Sequence, residues 1–181
     1  MLEEIIIGGF GGQGVMSMGQ LLAYAGMMED KHVSWIPSYG PEMRGGTANC
    51  SVTISDAPVS SPLITEPRTL IVLNRPSLEK FEPDVQPGGL LLINSSLIDM
   101  EPKRQDLKIL KIPASELANE KLHNGHVANM IILGAFVEIT KAVSIDSVIA
   151  ALTKVLPEYR HNLIPLNREA LEMGAGLART M

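Results

Sequence analysis

Gly9-Phe10-Gly11-Gly12-Gln13-Gly14 follows a short apolar run, precedes a helical pattern and carries the GxGxxG spacing of phosphate-binding turns. Glycines at such a turn let the backbone approach a phosphate closely. The following helix offers free N–H groups and the positive end of its dipole. Gly9, Gly11, Gly12, Gln13 and Gly14 are therefore candidate anion-binding residues. The same spacing also builds a tight strand–helix turn that holds nothing, so spacing alone leaves both readings open. A dinucleotide fits poorly. An NAD site needs an acid at the end of the second strand to hold the ribose hydroxyls, and NADP needs an arginine nearby. The matching stretch here, Ser34-Trp35-Ile36-Pro37-Ser38, has neither.

The next segment with chemistry in it runs from Pro37 to Gly46. Two prolines and three glycines in ten residues exclude helix and central strand, so this is a shaped loop. In a strand–helix–strand unit it leaves the same sheet edge as the glycine turn, where ligands of open α/β sheets bind. It brings the hydroxyls of Ser38 and Tyr39, the Glu42 carboxylate and the Arg44 guanidinium. Arg44 suits a phosphate or carboxylate because its fork is bidentate and permanently charged. An internal Glu42–Arg44 pair that stiffens the loop is the other reading, and the sequence does not choose between them.

Electron-carrying and metal chemistry have little support in the chain. Its single cysteine, Cys50, cannot supply the four ligands of a typical iron–sulfur cluster. His32, His123, His126 and His161 are scattered without metal-site spacing. The His123-Asn124-Gly125-His126 stretch reads as a turn or helix start.

The elements that must position these residues follow from periodicity. Glu3 to Ile7 reads as a buried strand that stops at Gly8, and Gly12 to Met28 as a helix with Val15, Met18, Leu22 and Ala25 on one face. Val33 to Ile36 is a second strand ending at Pro37, which makes a βαβ opening with a right-handed crossover. Thr47 to Ile54 alternates strictly, with Cys50 on its apolar face. One face of that strand packs inward, and the other is expected to meet water or another chain. Leu70 to Leu73, Leu90 to Ile93 and Lys108 to Ile112 read as further strands. Ala114 to Lys121 and Val127 to Thr140 read as helices. Ser144 caps a helix over 145–156, and a last helix over 166–173 is expected to end at Gly174. The expected fold is a single α/β domain over 1–181, with a Rossmann-like, mostly parallel sheet flanked by helices and a C-terminal helical segment.

Composition narrows the function classes. The 181 residues are 45% hydrophobic and 19% charged, with a formal charge of −5. That describes a globular domain without the basic face that nucleic-acid binding needs. The N-terminus MLEEIIIGG has no basic region ahead of an apolar stretch, and the longest apolar run, Val127 to Ile139, is too short for a bilayer. A cytoplasmic location without membrane association is expected.

The segments GGFGGQGV (8–15), PSYGPEMRGGTANCSV (37–52), NRPSLEKF (74–81), PGGLLLINSSLI (87–98), VANMIILGA (127–135) and LIPLNREAL (163–171) together resemble the gamma subunit of 2-oxoacid:ferredoxin oxidoreductases. The loop wording PEMRGGTANC is more similar to the 2-oxoglutarate and branched-chain types than to the pyruvate type. The resemblance implies a holoenzyme that oxidatively decarboxylates a 2-oxoacid, with 2-oxoglutarate the expected substrate, to the acyl-coenzyme A and reduces ferredoxin. It places thiamine diphosphate, magnesium and the iron–sulfur clusters in alpha, beta and delta subunits. This chain would pack on them, be inactive alone, and help shape the approach of coenzyme A. The polar face of the 47–54 strand or the loop before it would meet those partners, and the isolated chain could homodimerise there. Three rivals stand beside this reading: a free-standing nucleotide-binding module, a purely structural subunit, and the small subunit of indolepyruvate oxidoreductase.

Overall fold

The computed structural model describes residues 1–38 and 47–180. A six-stranded sheet is built from β1 (Leu2–Phe10), β2 (His32–Ser38), β3 (Thr47–Ser55), β4 (Thr69–Val72), β5 (Leu90–Asn94) and β6 (Lys108–Ile112) in the order β2-β3-β1-β4-β5-β6. β3 runs antiparallel to both neighbours, while β1, β4, β5 and β6 pair in parallel. The expected mostly parallel α/β architecture is therefore present, with one modification. β1 and β2 run the same way but are not neighbours, because β3 is inserted between them. The chain returning from β2 fills that gap, and its alternating pattern let one face pack on the helices.

The apolar runs of the parallel strands divide between two cores. Ile5, Ile7, Ile71 and Leu92 face one layer, and Ile6, Leu70, Val72 and Leu91 face the other. The first and larger layer holds α1 (Val15–Met28), α3 (Ala114–Lys121), α4 (Ala128–Thr140), α5 (Ile145–Val155) and α6 (Ile164–Thr180). The second is covered by α2 (Arg75–Phe81) and by the 95–107 segment. α4 is buried from Asn129 to Val137 without a break, so it is a central helix and needs no polar face.

Most boundaries lie within a few residues of those expected, and the exceptions have physical causes. β1 continues through Phe10, because Gly9 and Phe10 pair with Ala48 and Thr47. β2 continues through Pro37 to Ser38, which an edge strand tolerates because it needs only one row of hydrogen bonds. α2, not foreseen as an element, is capped by Asn74, whose Oδ1 accepts from the Ser77 N–H at 3.0 Å.

Gly174 does not end the last helix. α6 runs on to Thr180, and Gly174 sits where α6 crosses α4; a Cβ there would lie 1.7 Å from the Ile131 carbonyl oxygen. Gly134 of α4 is its counterpart, with the Leu171 carbonyl oxygen 2.0 Å from the same imagined atom. Close approach of two helix axes, not chain reversal, explains both glycines. Beyond the crossing, Arg179 and Lys141 both bind Glu138 and hold its carboxyl well below the usual range, at about 2.

The polar side of β3 is covered along half its length. Thr53 and Ser55 are buried beneath the 57–61 segment, which folds back past Leu2 and Glu4. Only Thr47, Asn49 and Ser51 remain half-buried. The surface expected to be open along the whole strand is therefore limited to the end next to the glycine turn.

Candidate functional site

The glycine turn sits at the carboxyl end of β1, beside β4. The helices that follow these two parallel strands, α1 and α2, leave to opposite faces of the sheet. A strand pair whose crossovers diverge opens a crevice at its carboxyl edge, the usual ligand position in such sheets. Each glycine of the turn has its own cause. Gly9 leaves room for the Gln13 side chain, since a Cβ there would meet Gln13 Oε1 at 2.7 Å and Val15 at 2.9 Å. Gly12 turns the chain at φ 89°, and Gly14 is the left-handed N-cap of α1 at φ 82°. Gly11 is exposed at the tip.

Gln13 has a role that spacing does not disclose. Its Oε1 accepts from the Phe10 N–H at 2.6 Å, and its Nε2 donates to the Leu73 carbonyl at 3.1 Å. The amide thus ties the turn to the ends of β1 and β4, and its side chain is spent on the scaffold. The backbone N–H groups of Gly11 and Gly12, with those of Val15, Met16 and Ser17, make no hydrogen bond to other described residues. Those groups can receive an anion; the Gln13 side chain positions them.

Across the crevice lie residues far away in the sequence, around the His123–His126 helix start and beyond. A cleft of about 190 Å³ is lined by Gly12, Gln13 and Leu73 on one side and by Asn94, Ser115, His126 and Asn129 on the other. Asn124 caps the short 3-10 turn that leads into α4, accepting from the His126 N–H at 3.0 Å. Asn129 Nδ2 donates to the Gly14 carbonyl at 3.5 Å, linking α4 directly to the cap of α1. Asn129 breaks an otherwise apolar run, and that break was its only signal in the sequence.

Ser38 ends β2 and pairs with Asn49, which in turn pairs with Gly8. Ser38 is thus level with the end of β1 and two strand spacings away, roughly 10 Å. The loop after Ser38 accordingly starts at the edge that carries the glycine turn. Tyr39, Glu42 and Arg44 lie outside the described residues. Cys50 is a core side chain. Burial pushes its thiol up to about 12, and its sulfur faces the Trp35 indole and the Val15 carbonyl. A single cysteine in that setting does not fit a cluster ligand. No group of three His, Cys, Asp or Glu that could hold a metal ion exists among the described residues. None of the described helices is long and apolar enough to cross a membrane.

Residues 4–177 match the family described as pyruvate ferredoxin/flavodoxin oxidoreductase. The chain belongs to that family. Its relatives in the family include a ketoisovalerate oxidoreductase subunit, VorA, from Methanothermobacter marburgensis, 39% identical over 97% of this chain. The chain spans only 36% of that relative's length. A 2-oxoglutarate synthase subunit, KorC, from Methanocaldococcus jannaschii is 34% identical over 87% of this chain and 86% of its own. The fold is also that of a solved keto/oxoacid ferredoxin oxidoreductase gamma subunit from Geobacter sulfurreducens. That structure is 30% identical, with a TM-score of 0.85 and 99% of both chains covered.

Proposed function

We propose that this chain is the gamma subunit of a multi-subunit 2-oxoacid:ferredoxin oxidoreductase. It assembles with thiamine-, magnesium- and cluster-bearing subunits and contributes part of the coenzyme A site. The observation that carries the proposal is the end-to-end match to a gamma subunit, in sequence and in fold, by a chain whose one cysteine is buried in its core. Partner subunits must then supply the redox centres, and this chain supplies surface and anion-binding groups. Within the site, the N–H groups of Gly11 and Gly12 and the N-terminus of α1 would face a phosphate of coenzyme A. Ser38, Tyr39 and Arg44 would reach it from the neighbouring loop. Gly9, Gln13 and Gly14 would hold the turn in shape.

The 2-oxoglutarate synthase relative of matching length supports 2-oxoglutarate as the substrate of the assembly. The higher identity to a ketoisovalerate oxidoreductase subunit favours a branched 2-oxoacid as the second reading. Assaying the assembled enzyme with both acids separates the two.

Arg44→Ala tests the coenzyme A site. A charge-assisted hydrogen bond to phosphate contributes roughly 1.5–3 kcal/mol. Its loss should raise the KM for coenzyme A about tenfold or more in the assembled enzyme and leave the oxoacid KM nearly unchanged. A coenzyme A constant within about twofold of wild type, in a normally assembled complex, would instead make Arg44 the structural partner of Glu42.

A further inference from the structure

The two edges of the sheet are built differently. β6 closes one edge with Lys108 and Lys111, charges of the kind that keep a foreign strand away. β2 closes the other, and His32–Ser38 contains no Lys, Arg, Asp or Glu. The ladder fixes which backbone groups of β2 are left over. The Glu4 and Gly8 carbonyls accept from the Arg68 and Leu73 N–H groups, so even residues of β1 bond toward β4 and odd ones toward β3. Ile5 and Ile7 then bond Val52 and Cys50, which leaves Ser51, Thr53 and Ser55 to bond Ile36, Ser34 and His32. Val33, Trp35 and Pro37 therefore turn their backbone groups outward, where no described strand meets them. A proline in that outward row removes no bond from the ladder.

α1 lies over this edge and extends its uncharged surface. Gly19 faces Trp35 and Cys50, and Gly26 faces Val33 and Ile54, so that side of the helix rests on β2 and β3. Leu21 shares a cleft with Leu152 and Val155, which sets α5 on one flank of α1. At 3.6 residues per turn, Met16, Gln20, Ala23 and Met27 take the other flank, beside the open row of β2. The first three are half-buried, and Met27 is 57% exposed. Like β2, Val15–Met28 has no Lys, Arg, Asp or Glu, although 19% of the whole chain is charged.

We propose that this edge pairs with a second copy of the chain, β2 against β2 in antiparallel, with the two α1 flanks packed across the symmetry axis. An outward row of strand N–H and C=O groups is complemented by another strand. A two-fold contact sets each group against its own kind, so charges there would repel. The absence of charge on both β2 and α1 makes this surface complementary to itself. Lys108 and Lys111 on the far edge keep the pairing from continuing, so the assembly closes at two copies. Antiparallel pairing points the two glycine turns to opposite ends of the joined sheet and leaves both crevices open. The inference is therefore independent of the coenzyme A reading.

The test is sedimentation equilibrium of the full-length chain, with hydrogen exchange as the readout of the edge itself. A dimer Kd of about 10 μM or tighter is expected, so at ~100 μM the mass should approach twice 19.6 kDa. The Val33 and Trp35 amides should exchange slowly at ~100 μM and faster on dilution to ~1 μM. Met27→Glu, at an exposed position, sets like charges across the axis, and Ser34→Lys gives β2 the guard that β6 already has. Each should weaken the dimer about tenfold or more. A chain that stays monomeric at ~100 μM overturns the proposal. Protection of Val33 and Trp35 only after partner subunits are added overturns it too, and gives the edge to one of those subunits. So does a dimer that either variant leaves at wild-type strength, because another surface then holds the copies together.

Discussion

Gly14→Ala should lower the melting temperature by roughly 6–12 °C, where Gly12→Ala costs only a few degrees. Both glycines have positive φ, so any Cβ adds strain of about 1–2 kcal/mol at either position. At Gly12 that is the whole effect, because nothing lies within 4 Å of the added atom. At Gly14 the added atom would lie 2.3 Å from Asn129 Nδ2 and 3.0 Å from its Cγ. The amide must swing away and lose the Gly14 carbonyl. A buried Asn129 is then left with neither end paired, which costs about 1–3 kcal/mol more. The total is about 3 kcal/mol, or 6–12 °C at ~2–4 °C per kcal/mol for a chain of this length. Thermal unfolding of both variants checks the ratio. Combining Gly14→Ala with Asn129→Ala removes the clash, so the double variant should cost at least ~1 kcal/mol less than the two single changes added together. Simple additivity would mean that the two residues do not touch.

The α4–α6 crossing yields the second large effect, with a control of opposite sign. Alanine is favoured over glycine inside a helix by about 1 kcal/mol, so propensity alone predicts that Gly174→Ala stabilises. Packing outweighs it. The new methyl would lie 1.7 Å from the Ile131 carbonyl oxygen and 3.0 Å from the Ala135 nitrogen, and backbone atoms cannot rotate aside. Overfilling a packed core costs about 1–3 kcal/mol or more, and here the two helices must separate along their shared length. A net loss of about 2 kcal/mol or more is expected in urea unfolding. Gly176→Ala lies two residues along the same helix with nothing within 4 Å, so it should stabilise by up to about 1 kcal/mol. If both changes stabilise, the close crossing is wrong.

These glycines also mark where sequence reasoning met its limit. Lys108–Ile112, Ala114–Lys121 and the Ser144 cap were legible because pattern and punctuation agree within a few residues. Gly174 was misread because a glycine after an apolar stretch looks the same whether it ends a helix or admits a second one. The insertion of β3 between β1 and β2 was invisible for a related reason. Alternation along Thr47–Ser55 specifies which face is buried but not which strands lie on either side. α2 has seven residues, too few for a period to show, although Asn74 and Pro76 punctuate its start. In the crevice, the glycine turn and its place on the sheet edge were readable from spacing. The facing residues were not, because His126 and Asn129 reach the turn from more than 110 positions away. Gln13 is expected among the binding residues from its place in the turn, and only the structure shows that its carboxamide fastens that turn to Phe10 and Leu73.

The central claim, a subunit that has no activity without its partners, is tested most directly by purifying a tagged copy of this chain from the cells that make it. It should emerge with thiamine-binding and cluster-bearing subunits in near-equal amounts. That fraction should reduce a viologen dye with a 2-oxoacid and coenzyme A, and the chain separated from it should not. Recovery of the chain alone, as a monomer or homodimer without such partners, or turnover by the isolated polypeptide, would mean that it is not a dependent subunit.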